Sequence, residues 1–358
     1  MKRLVLFELR KLFTRRLTLA ALAILLALSL LFGISSYLNM YAFDGVSRDG
    51  SGKEAVEIDR DLARKYGGIL TDEKVQEMMA AFSPRYDLKG LNALYLYRNA
   101  TQSAVFARFS DHYGNWNGKT VADVFGDGEI KTGYIHGWLI TGDNMVKINI
   151  VLLLAVTVLL APVFCGEYGG MDSVLLCCRY GRTKCVTAKI LAALAAVLIL
   201  VLSTAGLNFL LALGLYGSEG LACSILFAPI EYVEGGIPFN ITVGTMMAYQ
   251  AALSLTGAIG AAGITLLFSA GCGHSMAALA VSAGLLMAPI LVPVSEMSPI
   301  FRYISLLPIY HAQFVSLMSI EQMKSGLLYA AWAVPAAALF LAAGAAASRR
   351  IFAKHQVA

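Results

Sequence analysis

The sequence predicts an all-α polytopic membrane protein with six transmembrane helices. An N-terminal amphipathic interface helix precedes the first span, and a mainly helical extracytoplasmic insertion follows it. Three observations carry this expectation. Hydrophobic residues make up 58% of the 358 and charged residues only 14%, against roughly 25% charged in soluble domains. The charges are also segregated, more than half of them falling between Asp44 and Lys147. Outside that segment lie charge-free runs at 17–43, 148–166, 190–218, 235–295 and 325–348. A helix needs about 20 mostly apolar residues to cross the hydrocarbon core, and these runs are long enough. Such a chain is neither a soluble globular domain nor a disordered or nucleic-acid-binding one, and the lipid bilayer is its first partner.

Orientation follows from where the cations sit rather than from the net charge of +5. Residues 1–16 hold six bases and one acid (Glu8), 166–189 is basic on balance, and 349–358 has Arg349, Arg350 and Lys354 with no acid. The loop after the third span carries Glu219, Glu231 and Glu234 and no base. Lys and Arg in short loops stay on the cytoplasmic side. Both ends are therefore expected in the cytoplasm, which demands an even number of crossings.

The elements then follow in order. Residues 1–16 form a cytoplasmic amphipathic helix, with Val5, Leu6, Leu9, Leu12 and Phe13 on one arc at helical spacing. The membrane-surface cations Arg3, Arg10, Lys11 and Arg15 lie on the other, suited to anionic lipid. The plainer reading is that these cations only orient the first span. That span, 17–38, is expected to be retained, since no small-residue cleavage site follows it. Residues 39–147 form the extracytoplasmic domain, in which 53–66 reads as a helix stopped by Gly67 and Gly68. Thr71 caps a second helix at 72–82, and weaker alternation appears at 95–98.

Spans at 148–165 and 190–217 flank a cytoplasmic loop at 166–189, and 218–241 is an outer loop. The long apolar run divides at Gly271, Gly273 and His274 into spans at 242–269 and 276–294 around a cytoplasmic turn, 270–275. Residues 295–324 are expected to be an outer re-entrant or interfacial segment, because a seventh span would export the Arg349-Arg350 tail. The last span is 325–348 and the tail 349–358 is cytoplasmic. A stripe of small residues (Gly244, Ala248, Ala252, Thr256 and Gly260) marks close helix packing, within one subunit or between two.

Chemistry of its own is not expected of this chain. Residues 114–120 imitate a phosphate-binding loop but have three residues between the glycines where four are needed, so they read as a surface turn. The six cysteines include no CxxC pair, which argues against structural zinc. No HExxH, no GxSxG and no mid-membrane carboxylates occur. No catalytic, cofactor-binding or metal residues are therefore assigned, and a proton- or sodium-driven carrier is disfavoured.

The loop 165–189 holds an acid just after the span (Glu167), a glycine (Gly169 or Gly170), the pair Leu175-Leu176, and then Arg182 and Lys189 leading into span three. In this order and spacing it resembles the loop after the second span of type 2 ABC-transporter permeases, with Arg179 and Gly181 where family members often carry serine and proline. The resemblance extends to the layout of the whole chain apart from the insertion. It implies the membrane subunit of an exporter in the plasma membrane of a bacterium, paired with a second permease (a homodimer or a paralogue). ATP would be held by a separate cytoplasmic ATP-binding subunit and not by this chain. It also implies that 166–189 is the coupling loop, with Glu167, Leu175, Leu176, Arg179, Arg182, Lys184 and Lys189 coupling to that subunit. On the residues themselves, Val174, Leu175 and Leu176 suit a partner's groove, while the cations pair with acids or merely enforce topology. The neutral, aliphatic spans suit an amphipathic cargo such as a peptide, a lipid-linked molecule or a drug. The competing expectation is a non-transporting membrane sensor or scaffold that displays 39–147.

Overall fold

The computed structural model describes residues 1–83, 99–178, 180–229, 240–292, 294–295, 298–311, 313 and 327–355, without the side chains of 172, 327, 328 and 330. The alternation at 95–98, Glu231, Glu234, and most of the segment after His311 lie outside the described residues. Helices α1 (Lys2–Phe13) and α2 (Arg16–Asn39) come first. A cap follows: β1 (Tyr41–Phe43), β2 (Asp49–Ser51), α3 (Lys53–Lys65), β3 (Gly68–Ile69), α4 (Asp72–Phe82), α5 (Ala100–Phe109), α6 (Val121–Phe125) and β4 (Lys131–Thr132). Then come α7 (His136–Leu160), α8 (Asp172–Cys177), α9 (Val186–Tyr216), α10 (Val243–Gly271), α11 (Ser275–Leu291), α12 (Phe301–Ile304), α13 (Pro308–His311) and α14 (Leu327–Lys354).

Five of these helices, α2, α7, α9, α10 and α14, are long and apolar enough to cross a membrane. The architecture is that of an all-α polytopic membrane protein. One end of the bundle carries the cap, and the other, where α2 begins and α10 and α14 finish, is basic. Helix α11 is apolar but has 17 residues, about 26 Å at 1.5 Å per residue and short of a core roughly 30 Å thick.

The second long helix starts twelve residues before the expected 148. The polar residues that read as loop are satisfied within the helix packing. Asn144 Nδ2 donates to Ser36 Oγ at 2.9 Å, Lys147 pairs with Asp143 at 2.7 Å one turn away, and Trp138 is buried. Helix α7 therefore begins within the expected insertion, at His136.

The segment after α11 returns to the bundle. Pro308 lies against Gly260, past the midpoint of α10, and Tyr310 OH donates to Pro289 O at 3.1 Å. His311 Nε2–H donates to Leu306 O at 2.9 Å, and its Nδ1 lies 3.2 Å from Thr256 Oγ1. Residues 301–311 are thus tucked beside the middle of α10.

Helices α10 and α14 approach each other closely. A Cβ added at Gly344 would overlap the Gly263 carbonyl, and one at Gly263 the Phe340 carbonyl. Of the predicted small-residue stripe, Gly260 and Thr256 face α13 and Gly244 meets Leu221 O, but Ala248 and Ala252 are exposed. A four-residue repeat drifts about 40° per step around a 3.6-residue helix. Five members therefore cannot share one seam, and the seam passes to Gly263.

The cap has its own core of Leu70, Val75, Met78, Phe106 and Phe109, completed by Phe227 from the α9–α10 connection. Thr71 Oγ1 accepts from Lys74 N and α4 spans 72–82, as its capping residue predicts. A second cluster (Met40, Ile58, Trp138, Tyr216, Ile225, Met246) joins the cap to the helix ends. Arg108 donates to Ala104 O and Ala228 O, both at 2.8 Å, and to Leu226 O; its burial draws the guanidinium pKa down to about 10.

Candidate coupling site

The loop that the sequence singles out lies at the basic end, and four charged side chains organise it. Lys189, in the first turn of α9, is fully buried. Its Nζ lies 2.9 Å from Glu167 Oε1 and 3.1 Å from Glu8 Oε2 and donates to Val163 O at 3.0 Å. Lys11 pairs with the same Glu167 oxygen. Two ammonium and two carboxylate groups thus form a neutral set joining α1, the turn at Cys165–Glu167 after α7 and the start of α9. Desolvating each ion costs several kcal/mol, and only a nearly complete set of partners offsets that.

This set decides how α1 sits. Glu8 and Leu12 are buried, Val5, Leu9 and Phe13 are half-buried, and Leu6 and Phe7 face outward. Of the surface cations, Arg3 and Arg10 are exposed and Lys11 points to Glu167, while Arg15 Nη2 donates to Pro162 O at 3.5 Å. The helix is held by its one acid as much as by its apolar arc.

Beyond Glu167 the chain makes the single-turn helix α8. Leu176 is buried in the core of the bundle and Leu175 is half-buried, whereas Met171 and Val174 are each 57% exposed. A tight turn follows, in which a Cβ at Gly181 would overlap the Leu175 carbonyl. Arg182 Nη1 donates to Ala353 O of α14 at 2.7 Å and its Nε to Leu176 O at 3.4 Å. Lys184 Nζ lies 4.0 Å from the centroid of the exposed Tyr180 ring. Arg179 lies outside the described residues. Tyr168 OH donates to Ala270 O at 2.7 Å, and its ring stacks on His355 at 4.1 Å.

The seven residues expected to form one coupling surface therefore divide. Glu167, Leu176 and Lys189 turn inward, so the reading of Leu176 as an outward groove-filler gives way to a core role. Arg182 and Lys184 stay at the surface beside Met171, Val174 and Tyr180. Sequence reasoning missed Glu8; its only signal was being the lone acid among six bases in 1–16, with nothing to link it to a lysine 181 residues away. It also missed Met171 and Tyr180, which read as ordinary loop residues. Met171, Val174 and Tyr180 are thus exposed apolar side chains, with Lys184 over the Tyr180 ring and Arg182 turned to α14.

Residues 114–120 form a turn closed by its own bonds. Asp111 Oδ1 accepts from Tyr113 N and Asn115 N, Trp116 Nε1 donates to Lys119 O, and Gly114 and Gly118 have φ near 84° and 83°. No family model, no curated protein and no solved structure matches the chain.

Proposed function

We propose that this chain is the permease subunit of an ATP-driven ABC exporter in the cytoplasmic membrane. It works with a second permease and with cytoplasmic ATP-binding subunits that dock on α8. It crosses the bilayer six times with both ends in the cytoplasm, α11 serving as the fifth crossing and the 301–311 segment as part of the outer re-entrant stretch, and α1 lies at the inner surface. The observation that carries this reading is the seating of α8. It exposes Met171, Val174 and Tyr180, while Glu167 and Lys189 on either side of it belong to a buried ionic set reaching α1, α7 and α9. A displacement imposed on α8 would pass into the helices rather than be absorbed by loop motion. The cargo is amphipathic or hydrophobic, in keeping with the aliphatic helices. The cap's shared core with the helix ends favours a part of the transport path over a freely displayed sensing module.

The test is co-expression of the chain with its neighbouring genes and co-purification of an ATP-binding protein with it. The expected result is a stoichiometric complex that hydrolyses ATP and is lost in Met171→Asp/Val174→Asp, the variant keeping its membrane insertion and helicity. A chain that purifies alone, or a complex indifferent to both substitutions, would refute the proposal.

A further inference from the structure

A cavity of about 490 Å3 lies between α10, α11, α14 and the 301–311 segment, within the roughly 300–1,000 Å3 of small-ligand sites. All sixteen described residues that line it are apolar, Ile264, Phe268, Leu285 and Phe340 among them. Among these residues an occupant finds nothing to hydrogen-bond, so the part that enters is hydrocarbon. Its α10 wall, Gly263 to Phe268, falls in the last turns of that helix, and its α14 wall, Phe340 to Gly344, near the middle of α14. Its α11 wall, Leu285 to Val292, is at the end of α11 away from the basic turn, so the cavity reaches from the middle of the bundle toward the basic end.

The α14 wall continues toward that end. Phe340 and Ala343 line the cavity, and at helical spacing the same face next presents Ala347, Arg350 and Lys354. Arg350 and Lys354 are exposed and make no ion pair or hydrogen bond with any described residue. Across the mouth, the turn from α10 to α11 exposes His274. The carboxylates of Glu8 and Glu167 are buried and already paired with lysines. Arg350 and Lys354 thus follow the cavity's α14 wall toward the basic end, unpaired among the described residues.

We propose that this cavity binds one acyl chain of an anionic phospholipid drawn from the leaflet at the basic end, its phosphate held by Arg350 and Lys354. The apolar walls accept the chain of any lipid, while the cationic rim selects the headgroup. The site needs only that the protein lie in a bilayer, so it stands or falls separately from docking of an ATPase.

The full chain is reconstituted in phosphatidylcholine vesicles containing a minor fraction of a probe with a photoactivatable group in its acyl chain. The probe is phosphatidylglycerol in one arm and phosphatidylcholine in the other. Labelled peptides covering 263–268, 285–292 and 340–344 are expected with the anionic probe. In Arg350→Gln/Lys354→Gln that labelling should fall roughly fivefold per cation removed, the factor for about 1 kcal/mol per basic residue at an anionic surface, toward the level of the neutral probe. Ala343→Phe should abolish labelling by both probes. Should Ala343→Phe fail to fold, the exposed-residue variant still decides. Equal labelling by the two probes, labelling unchanged in Arg350→Gln/Lys354→Gln, or photo-cross-links joining two copies of the chain through these walls would overturn the proposal.

Discussion

The two ends of the helix bundle are held together by different physics. At the cap end, large rings fill the joints: Trp138 is buried with its Nε1 donating to Gly217 O at 3.1 Å, and Gly137 leaves just enough room for the Tyr216 ring. Backbone carbonyls take up some of the cations there, Arg108 and Arg60, whose Nη2 donates to Tyr216 O at 2.8 Å, and His136 Nδ1 lies 2.9 Å from the buried Asp59. At the basic end rings and leucines also pack, Phe164 against Phe352 among them, but the joints add a compensated set of buried charges and a few backbone bonds from Arg182, Tyr168 and Arg15. Apolar packing loses energy in proportion to what is removed. A buried ionic set is all-or-none, because one deletion strands an opposite charge. The cap end is therefore built to stay in one arrangement, and the basic end to respond sharply to a single change.

Three measurements break or sharpen that contrast. Trp138→Ala should have the largest effect, about 3–5 kcal/mol of stability, read as a lowered thermal midpoint of the purified protein, with the cap and the helices losing protection from proteolysis together. Lys189→Met should cost about 3 kcal/mol or slightly more. Adding Glu8→Gln should recover part of that loss by removing the stranded carboxylate, whereas no second substitution of this kind helps Trp138→Ala. Equal losses in Lys189→Met and Lys189→Met/Glu8→Gln would show that the ionic set is not coupled.

The smallest effect belongs to the exposed pair of Arg64 with Glu219, where Arg64 Nε donates to Glu219 Oε2 at 3.1 Å. The hydrogen bond from Arg64, and then its charge, hold the Glu219 carboxyl below the ordinary glutamate range. A carboxyl whose folded pKa is depressed adds stability above its unfolded pKa and loses it as pH falls through the folded value. Wild type and Glu219→Gln should therefore differ slightly at neutral pH and converge in acid. High salt should shrink the difference, since exposed pairs are screened. A gap that widens on acidification would contradict this sign.

Much of the fold was legible because its signals are local. The bounds of α4 follow from Thr71 and the acids after it, and α10 ends at Gly271 where the glycines break the apolar run. The start of α7 was not legible, since Asp143, Asn144 and Lys147 look the same in a loop as in a helix whose neighbours satisfy them. The small-residue stripe pointed to α10, but the seam needed Gly344 of α14 to complete it. The candidate coupling loop was half legible. The spacing of Glu167, Leu175, Leu176, Arg182 and Lys189 marked the loop as a unit, while the direction each side chain takes did not show.

By itself the sequence determined that this chain is a helical membrane protein and where its apolar helices run. Hydrophobic length and charge segregation act within each segment, independently of what it later touches. Only the tertiary structure decided that Glu8 answers Lys189, that α11 stops short and the following segment folds in beside α10, and that Val174 rather than Leu176 faces outward. Each of those outcomes depends on pairing between residues far apart in the chain, and an ammonium or a leucine carries no mark of which partner will desolvate it.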